Sequence, residues 1–471
     1  MNAVTEFRQL PGPEGWPVVG NLFQLNQERI HLVLEGWART YGPLYRLHVF
    51  NRNALILSDH QGIMQVLRER PGTFRRSKTI ESVMDDMGVT GVVSAEGEHW
   101  KRLSRLTMRA FNPAHLRGFF PQVVKVTSRL LRRWRHAASQ QHVVDVQGDL
   151  MRYALDVTAS LAFGSDINTI EGDNEVVSHL NRMFPMIHRR VNTPIPYWRY
   201  FKLPADRSFD RDLRGLHLAI EDFIAQARAR MRANPELLEH PANLIEALVA
   251  ARDEANSGFT DGDVFGNVFS TLLAGGDGTA NMIAWVVYFL CENPGWQQTL
   301  QREADAALAP QSLLSDFAAL SGPFPDTEAV IQETMRLKPV FPILLHEANL
   351  ATTIGNVSVP AGTIIVLLLR LTGLDPKNFP NPERFEPTRW LQSANAGDSG
   401  TTMNRLPFTF GSGPRTCPGR LLAIEELKMV ITMLVRNFAF ERAGESAVGE
   451  SMKFTMRPTN LHVTLRARPT Q

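Results

Sequence analysis

The chain has 471 residues, 50 Lys+Arg against 48 Asp+Glu for a formal net charge of +2, and 44% hydrophobic against 21% charged residues. That balance excludes a disordered or collagen-like polymer and a strongly charged tail protein, and it leaves enough apolar material for a large buried core. A pI near 8.6 is mildly basic, yet no Lys/Arg block or aromatic-interleaved basic stripe marks a nucleic-acid surface. Two cysteines, Cys291 and Cys417, are too few for a disulfide framework and point to a reducing, cytoplasmic setting.

Residues 1–9 carry Glu6 and Arg8 and run directly into Leu10-Pro11-Gly12-Pro13, so neither a signal peptide nor a membrane anchor is expected. Apolar residues at three- and four-residue spacing predict helices over 31–39, 60–70, 97–111, 116–138, 150–163, 213–233, 295–308 and 325–337. Strand signals are short: a hairpin from 44–49 and 54–57, later strands at 357–359 and 363–369, and a closing strand at 462–466. Proline, glycine and asparagine place loops at 11–17, 192–204, 379–387 and 395–400. The chain reads as mainly α with small sheets.

Residues 264–291 hold one charged side chain, Asp277, in 28 positions. That length would span a bilayer. Against this, Thr260 and Asp263 form a capping-box pattern, Gly275, Gly276 and Gly278 crowd the middle, and Asn267, Ser270, Thr271 and Asn281 keep the segment polar. The expectation is a helix ~42 Å long through the centre of a soluble core. Each interior glycine costs ~1 kcal/mol, so the glycines point to a flat ligand or substrate lying close, with Asp277 as a functional carboxylate. A local kink with Asp277 bonded to nearby backbone is the plainer alternative.

Near the C-terminus, Phe410-Gly411-Ser412-Gly413-Pro414-Arg415-Thr416-Cys417-Pro418-Gly419 leads into an amphipathic helix at 421–436. Pro418 is placed in the first turn of that helix, where a missing N–H is tolerated. The helix N-terminus would favour a thiolate on Cys417. Such a lone thiolate suits an axial haem ligand, and a buried inert cysteine is the ordinary alternative. Zinc spacing is missing, and Gly411-Ser412-Gly413 is not a hydrolase Gly-x-Ser-x-Gly elbow.

Phe410, Gly413, Arg415, Cys417 and Gly419 match Phe-x-x-Gly-x-Arg-x-Cys-x-Gly, and here the sequence resembles the cytochrome P-450 superfamily. The resemblance implies haem b (iron protoporphyrin IX) with Cys417 as proximal iron ligand, Phe410 near the sulfur and Arg415 on a propionate. Glu333-Thr334-Met335-Arg336 is alone an ordinary i,i+3 pair. In this order along the chain it resembles the family's Glu-x-x-Arg helix (about 325–337), with Arg384 of Pro382-Glu383-Arg384-Phe385 completing a structural network. Residues 10–20 resemble the family's proline-rich lead-in, and about 260–291 its distal, oxygen-binding helix, with Ala274 against the haem. Trp100 and His346 fall at propionate-binding positions, although Ser104 stands where a partner arginine is expected. The implied fold is one mainly α haem-thiolate domain over 1–471 with a small β-rich subregion. The implied pocket is lined by 74–93, 183–198, Ala274, Thr279 and 340–344, which suits an apolar or amphipathic small molecule.

The distal helix departs from the family's Ala/Gly-Gly-x-Asp/Glu-Thr pattern, reading Ala274-Gly275-Gly276-Asp277-Gly278-Thr279. One register keeps Asp277 and puts Gly278 at the threonine position; the other keeps Thr279 and puts Gly278 at the acid. Ungapped continuation to Asn293-Pro294 favours the first. The missing hydroxyl is then replaced by one from substrate or an ordered water, or else the enzyme uses peroxide or performs desaturation or coupling. The expected reaction inserts one oxygen atom of O2 into substrate. With no cysteine cluster for an iron–sulfur centre and no Gly-x-Gly-x-x-Gly loop, electrons are expected from a separate ferredoxin or flavodoxin with its reductase. Lys101, Arg102, Arg105, Arg109, Arg132, Arg133 and Lys428 would form its docking face, or simply a solvated surface. A non-catalytic haem sensor is the alternative from a different class.

Overall fold

The computed structural model describes residues 5–172, 175–193, 195–254, 257–320, 322, 324–395 and 408–469. Most of the loop expected at 395–400 lies outside these. The chain divides into two compact units: Met1–Glu81 with Ala329–Cys417 and Glu450–Arg457, and Ser82–Glu328 with Pro418–Gly449 and Pro458–Gln471.

The first unit carries the larger sheet. Leu44–Val49 and Arg52–Leu57 form the expected hairpin, with Leu44 opposite Leu57 and Val49 opposite Arg52. Ile364–Leu368 joins Arg52–Leu57 in parallel, followed by Ile343–Ala348 and the short strand Phe74–Arg76. Leu55, Leu57, Ile365 and Leu367 lie in a buried apolar cluster with Ile63, Val66 and Leu67 of the helix His60–Arg68. The two later strand segments separate: Val357–Val359 pairs with Thr352–Ile354 and Thr5–Glu6, in a different sheet from Ile364–Leu368. Residues 74–93, expected to line the pocket, contain Phe74–Arg76 and the helix Lys78–Asp86.

The second unit is helical around Asp261–Glu292, a helix of 32 residues, hence ~48 Å long. Its start follows from the expected capping box: Thr260 Oγ1 accepts from Asp263 N–H at 3.1 Å and Asp263 Oδ2 accepts from Thr260 N–H at 2.8 Å. Among the described residues, no helix is long and apolar enough to cross a membrane. The helix predicted at 213–233 begins nine residues earlier, as Pro204–Ala233. Pro204 sits in its first turn, so the loop expected at 192–204 gives way to helix at its last residue.

The glycines at the middle of the long helix have a cause other than the one expected. A Cβ on Gly275 would lie 2.5 Å from Thr158 Oγ1, and one on Gly276 would lie 2.9 Å from Leu155 Cδ2. Both side chains belong to the helix Val146–Phe163. These two glycines therefore admit a neighbouring helix, and the flat-ligand explanation does not apply to them.

The helix Arg420–Asn437 buries two adjacent acids, Glu425 and Glu426. Burial, partly offset by Lys428, pushes the Glu425 carboxyl up to about 7. Burial and the neighbouring Glu425 push Glu426 well above the usual carboxylate range. In an unfolded chain a glutamate ionises near pH ~4.3, so between that pH and about 7 the folded protein holds the extra Glu425 proton. Stability therefore falls as pH rises through this window. Glu425→Gln should raise the melting temperature at pH ~8 and leave it unchanged at pH ~4. A wild-type melting temperature at the higher pH would contradict the burial argument.

Candidate functional site

The cysteine loop, in the first unit, is shaped by its own backbone. Phe408–Phe410 and Gly413–Arg415 are single 3-10 turns, with Gly411 at φ +73° and Gly413 at φ +72° between and within them. Gly413 is doubly required: its φ is left-handed, and a Cβ there would stand 2.6 Å from Leu67 O and 3.0 Å from Arg68 Cα. Thr416 N–H donates to Gly413 O at 3.1 Å and Cys417 N–H to Phe410 O at 2.9 Å, so Phe410 and Cys417 are held together. Cys417 forms no disulfide and its side chain is exposed. The helix that follows starts at Arg420 with Gly419 as N-cap. Pro418 thus precedes the cap and is not in the first turn, a correction to the sequence reading.

Around His346 the first unit gathers basic groups. His346 on Ile343–Ala348 lies opposite Arg76 on Phe74–Arg76 in the strand register. Arg70 donates to His346 Nε2 at 3.0 Å and to Ser412 O at 3.2 Å. Burial, then Arg70, Arg76 and Arg415, hold His346 well below the ordinary imidazole range, so it is neutral. Since a guanidinium only donates, Nε2 must accept and the ring proton sits on Nδ1. Nδ1 is buried with no hydrogen-bond partner among the described residues. A buried donor amid three guanidinium charges fits a carboxylate, which is what a haem propionate presents. The residues present therefore fit haem. Arg70 and Arg76 escaped the sequence reading; the basic run Arg70, Arg75, Arg76 was its one available signal.

The buried network forms with one change of membership. Arg336 and Glu333, both fully buried, pair at 2.7 Å. Glu333 also accepts from Arg389 Nε at 3.1 Å, Trp390 Nε1 at 2.9 Å and Glu386 N–H at 2.9 Å. Arg384 enters through its carbonyl, which accepts from Arg336 at 3.0 Å. The guanidinium expected from Arg384 is thus supplied by Arg389, on the first turn of Thr388–Asn395, while the loop before it turns its carbonyls towards Arg336.

In the second unit, Ala274 is exposed and Asp277 and Gly278 are half-buried, while Leu272, Leu273 and Thr279 are buried. Positions 274, 277 and 278 share one helix face. The long helix therefore has one open stretch, with Asp277 on it and Thr279 turned aside. Asn281 Nδ2 donates to Asp277 Oδ1 at 3.1 Å, and Gln147 Nε2 donates to Asn281 Oδ1 at 2.9 Å. Neither amide was singled out for this role by the sequence. Trp100 is buried with Ala95 and Leu103.

Several residues of the expected docking face are internally paired. Lys101 meets Glu98 at 2.5 Å, Arg132 meets Glu171 at 2.6 Å, Arg133 meets Asp149 at 2.7 Å, and Lys428 pairs with Glu328. The Arg102 guanidinium lies 5.9 Å from the Phe259 ring centroid. The Arg109 side chain lies outside the described residues. The face carries less net positive charge than its lysines and arginines alone imply.

The sequence model of the family Cytochrome P-450 matches residues 10–465. The chain is 28% identical over 450 residues to 25-hydroxyvitamin D-1 alpha hydroxylase, mitochondrial, of Homo sapiens, covering 91% of this chain and 86% of that protein. It is 27% identical over 475 residues to a self-sufficient cytochrome P-450 monooxygenase of Oidiodendron maius, covering 98% of this chain and 42% of that protein. The crystal structure of the cytochrome P-450DA haem domain has the same fold, with a TM-score of 0.85 at 19% identity, covering 100% of this chain and 99% of that one.

Proposed function

The chain belongs to the cytochrome P-450 family, and from that premise we propose how its own residues serve a haem-thiolate monooxygenase. Haem, when bound, supplies the iron at which O2 is activated with two electrons and two protons. Cys417 would hold the iron through its thiolate, a strong electron donor. Arg415, His346, Arg70 and Arg76 hold the propionates; the buried Nδ1 proton of His346 supports this. Glu333, Arg336 and Arg389 secure the cysteine-bearing unit. The observation that carries the reading is Cys417, exposed at the end of a loop closed by its own backbone onto Phe410.

The substrate is an apolar or amphipathic small molecule, and the whole of 1–471 acts as one catalytic domain. Electrons come from a separate ferredoxin or flavodoxin with its reductase, in the cytoplasm. Asp277 delivers protons from the open face of the long helix. Gly278 stands at the hydroxyl position, so a substrate hydroxyl or an ordered water completes the delivery. The buried setting of Thr279 supports this register.

Asp277→Asn should lower product formation about a hundredfold, the scale of a lost general acid, with the reduced carbon monoxide spectrum unchanged. Coupling of reductant use to product should also drop for a substrate analogue lacking its hydroxyl. Equally tight coupling for both compounds would exclude substrate assistance. Product formed from peroxide alone at the reductase-driven rate would favour the peroxide route.

A further inference from the structure

Asp277 does not stand alone on its helix. Its Oδ1 accepts from Asn281 Nδ2 at 3.1 Å, one turn further along. Asn281 is fully buried. Gln147 holds the other end of this amide: its Nε2 donates to Asn281 Oδ1 at 2.9 Å, in keeping with Nδ2 facing Asp277. Gln147 is in turn fixed by the start of the helix Val146–Phe163, whose N-cap Asp145 accepts from Gly148 N–H at 3.1 Å. The same helix meets Asp261–Glu292 at the Gly275 and Gly276 contacts, so both ends of the amide chain sit on packed backbone.

We propose that Gln147 and Asn281 are positioning residues for proton delivery, an amide chain that sets the direction of the Asp277 carboxylate. With Gln147 donating, Asn281 must donate onward and Asp277 must accept. Without it, Asn281 loses one of the contacts that hold its amide, and with a carboxylate at position 147 that amide is drawn away from Asp277, so the aspartate can move to another rotamer. A group delivering a proton has to lie within hydrogen-bond reach of the acceptor, so an error of ~1 Å is enough to lower rate. This inference rests on the reading of Asp277 as the proton-delivering acid.

The test uses the haem-loaded protein and the variants Gln147→Glu, Gln147→Leu and Asn281→Ala. Gln147→Glu keeps size and shape but, ionised, has no N–H to give. The first readout is infrared: the wild-type spectrum minus that of Asp277→Asn isolates the Asp277 carboxylate band. That band should move in all three variants. The second is peroxide released per reductant consumed during turnover of an amphipathic alcohol chosen by spectral titration. It should rise about tenfold in Gln147→Glu and Asn281→Ala, while the alcohol's dissociation constant and the melting temperature of Gln147→Glu stay at wild type. An unmoved band with wild-type peroxide release in Gln147→Glu overturns the amide chain even if Asp277→Asn uncouples the enzyme. Failure of Asp277→Asn itself to uncouple removes the underlying reading instead, so the two failures are distinguishable.

Discussion

Replacing Cys417 with serine should abolish the Soret band that reduced, carbon monoxide-treated protein shows on sulfur ligation, and with it reductant-dependent product formation. The substitution changes one atom, and the backbone hydrogen bond that closes the loop does not involve that atom. Its closing hydrogen bond is Cys417 N–H to Phe410 O at 2.9 Å, a backbone contact that serine retains. The side chain is exposed, so no apolar packing is lost. What changes is the donor: a thiolate is readily formed and soft, whereas an aliphatic alcohol stays protonated and neutral at working pH. The melting temperature of the haem-free chain should therefore be unaltered while the spectrum is lost. A wild-type carbon monoxide spectrum in Cys417→Ser would remove the ligand assignment and the haem-thiolate mechanism with it.

The second large effect is on stability. Glu333→Ala should destabilise the protein by about 3–5 kcal/mol, because it leaves the Arg336 guanidinium buried without its counter-charge. Both side chains are fully buried, and among the described residues Arg336 otherwise donates to main-chain carbonyls of Gly373, Pro382 and Arg384. Arg336→Ala should be equally severe. Arg389→Ala should cost less, since its side chain is 14% exposed and Glu333 keeps Arg336 and Trp390. Arg384→Ala should be nearly neutral, within ~0.5 kcal/mol, because it contributes its carbonyl oxygen, which alanine also has. Denaturant unfolding of the four variants gives the order directly. A larger loss for Arg384→Ala than for Arg389→Ala would show that the guanidinium of the loop, and not that of the following helix, completes the network.

The placement of these groups shows how far linear pattern reaches. The capping box at Thr260 and Asp263 was readable because both partners lie within one turn, and the local backbone alone brings them together. The hairpin at Leu44–Val49 and Arg52–Leu57 was readable for the same reason. Gly275 and Gly276 were visible as glycines but their purpose was misassigned, because the sequence does not say that Thr158 and Leu155 will arrive there. Arg384 and Arg389 stand five positions apart beside the same proline-rich loop, and spacing cannot tell which one will point its charge inward.

By itself the sequence determined the family, the cysteine-loop pattern and the long helix. Each is written in contiguous residues whose spacing is converted to geometry by one local loop or one helical period. Only the tertiary structure decided that Arg70 would reach His346 across 276 positions and that Gln147 would donate to Asn281 across 134. It also decided that Arg389 would replace Arg384 at Glu333. Those choices are made by strand register and helix packing, which fix the directions of side chains remote in the chain and leave no trace in their neighbours.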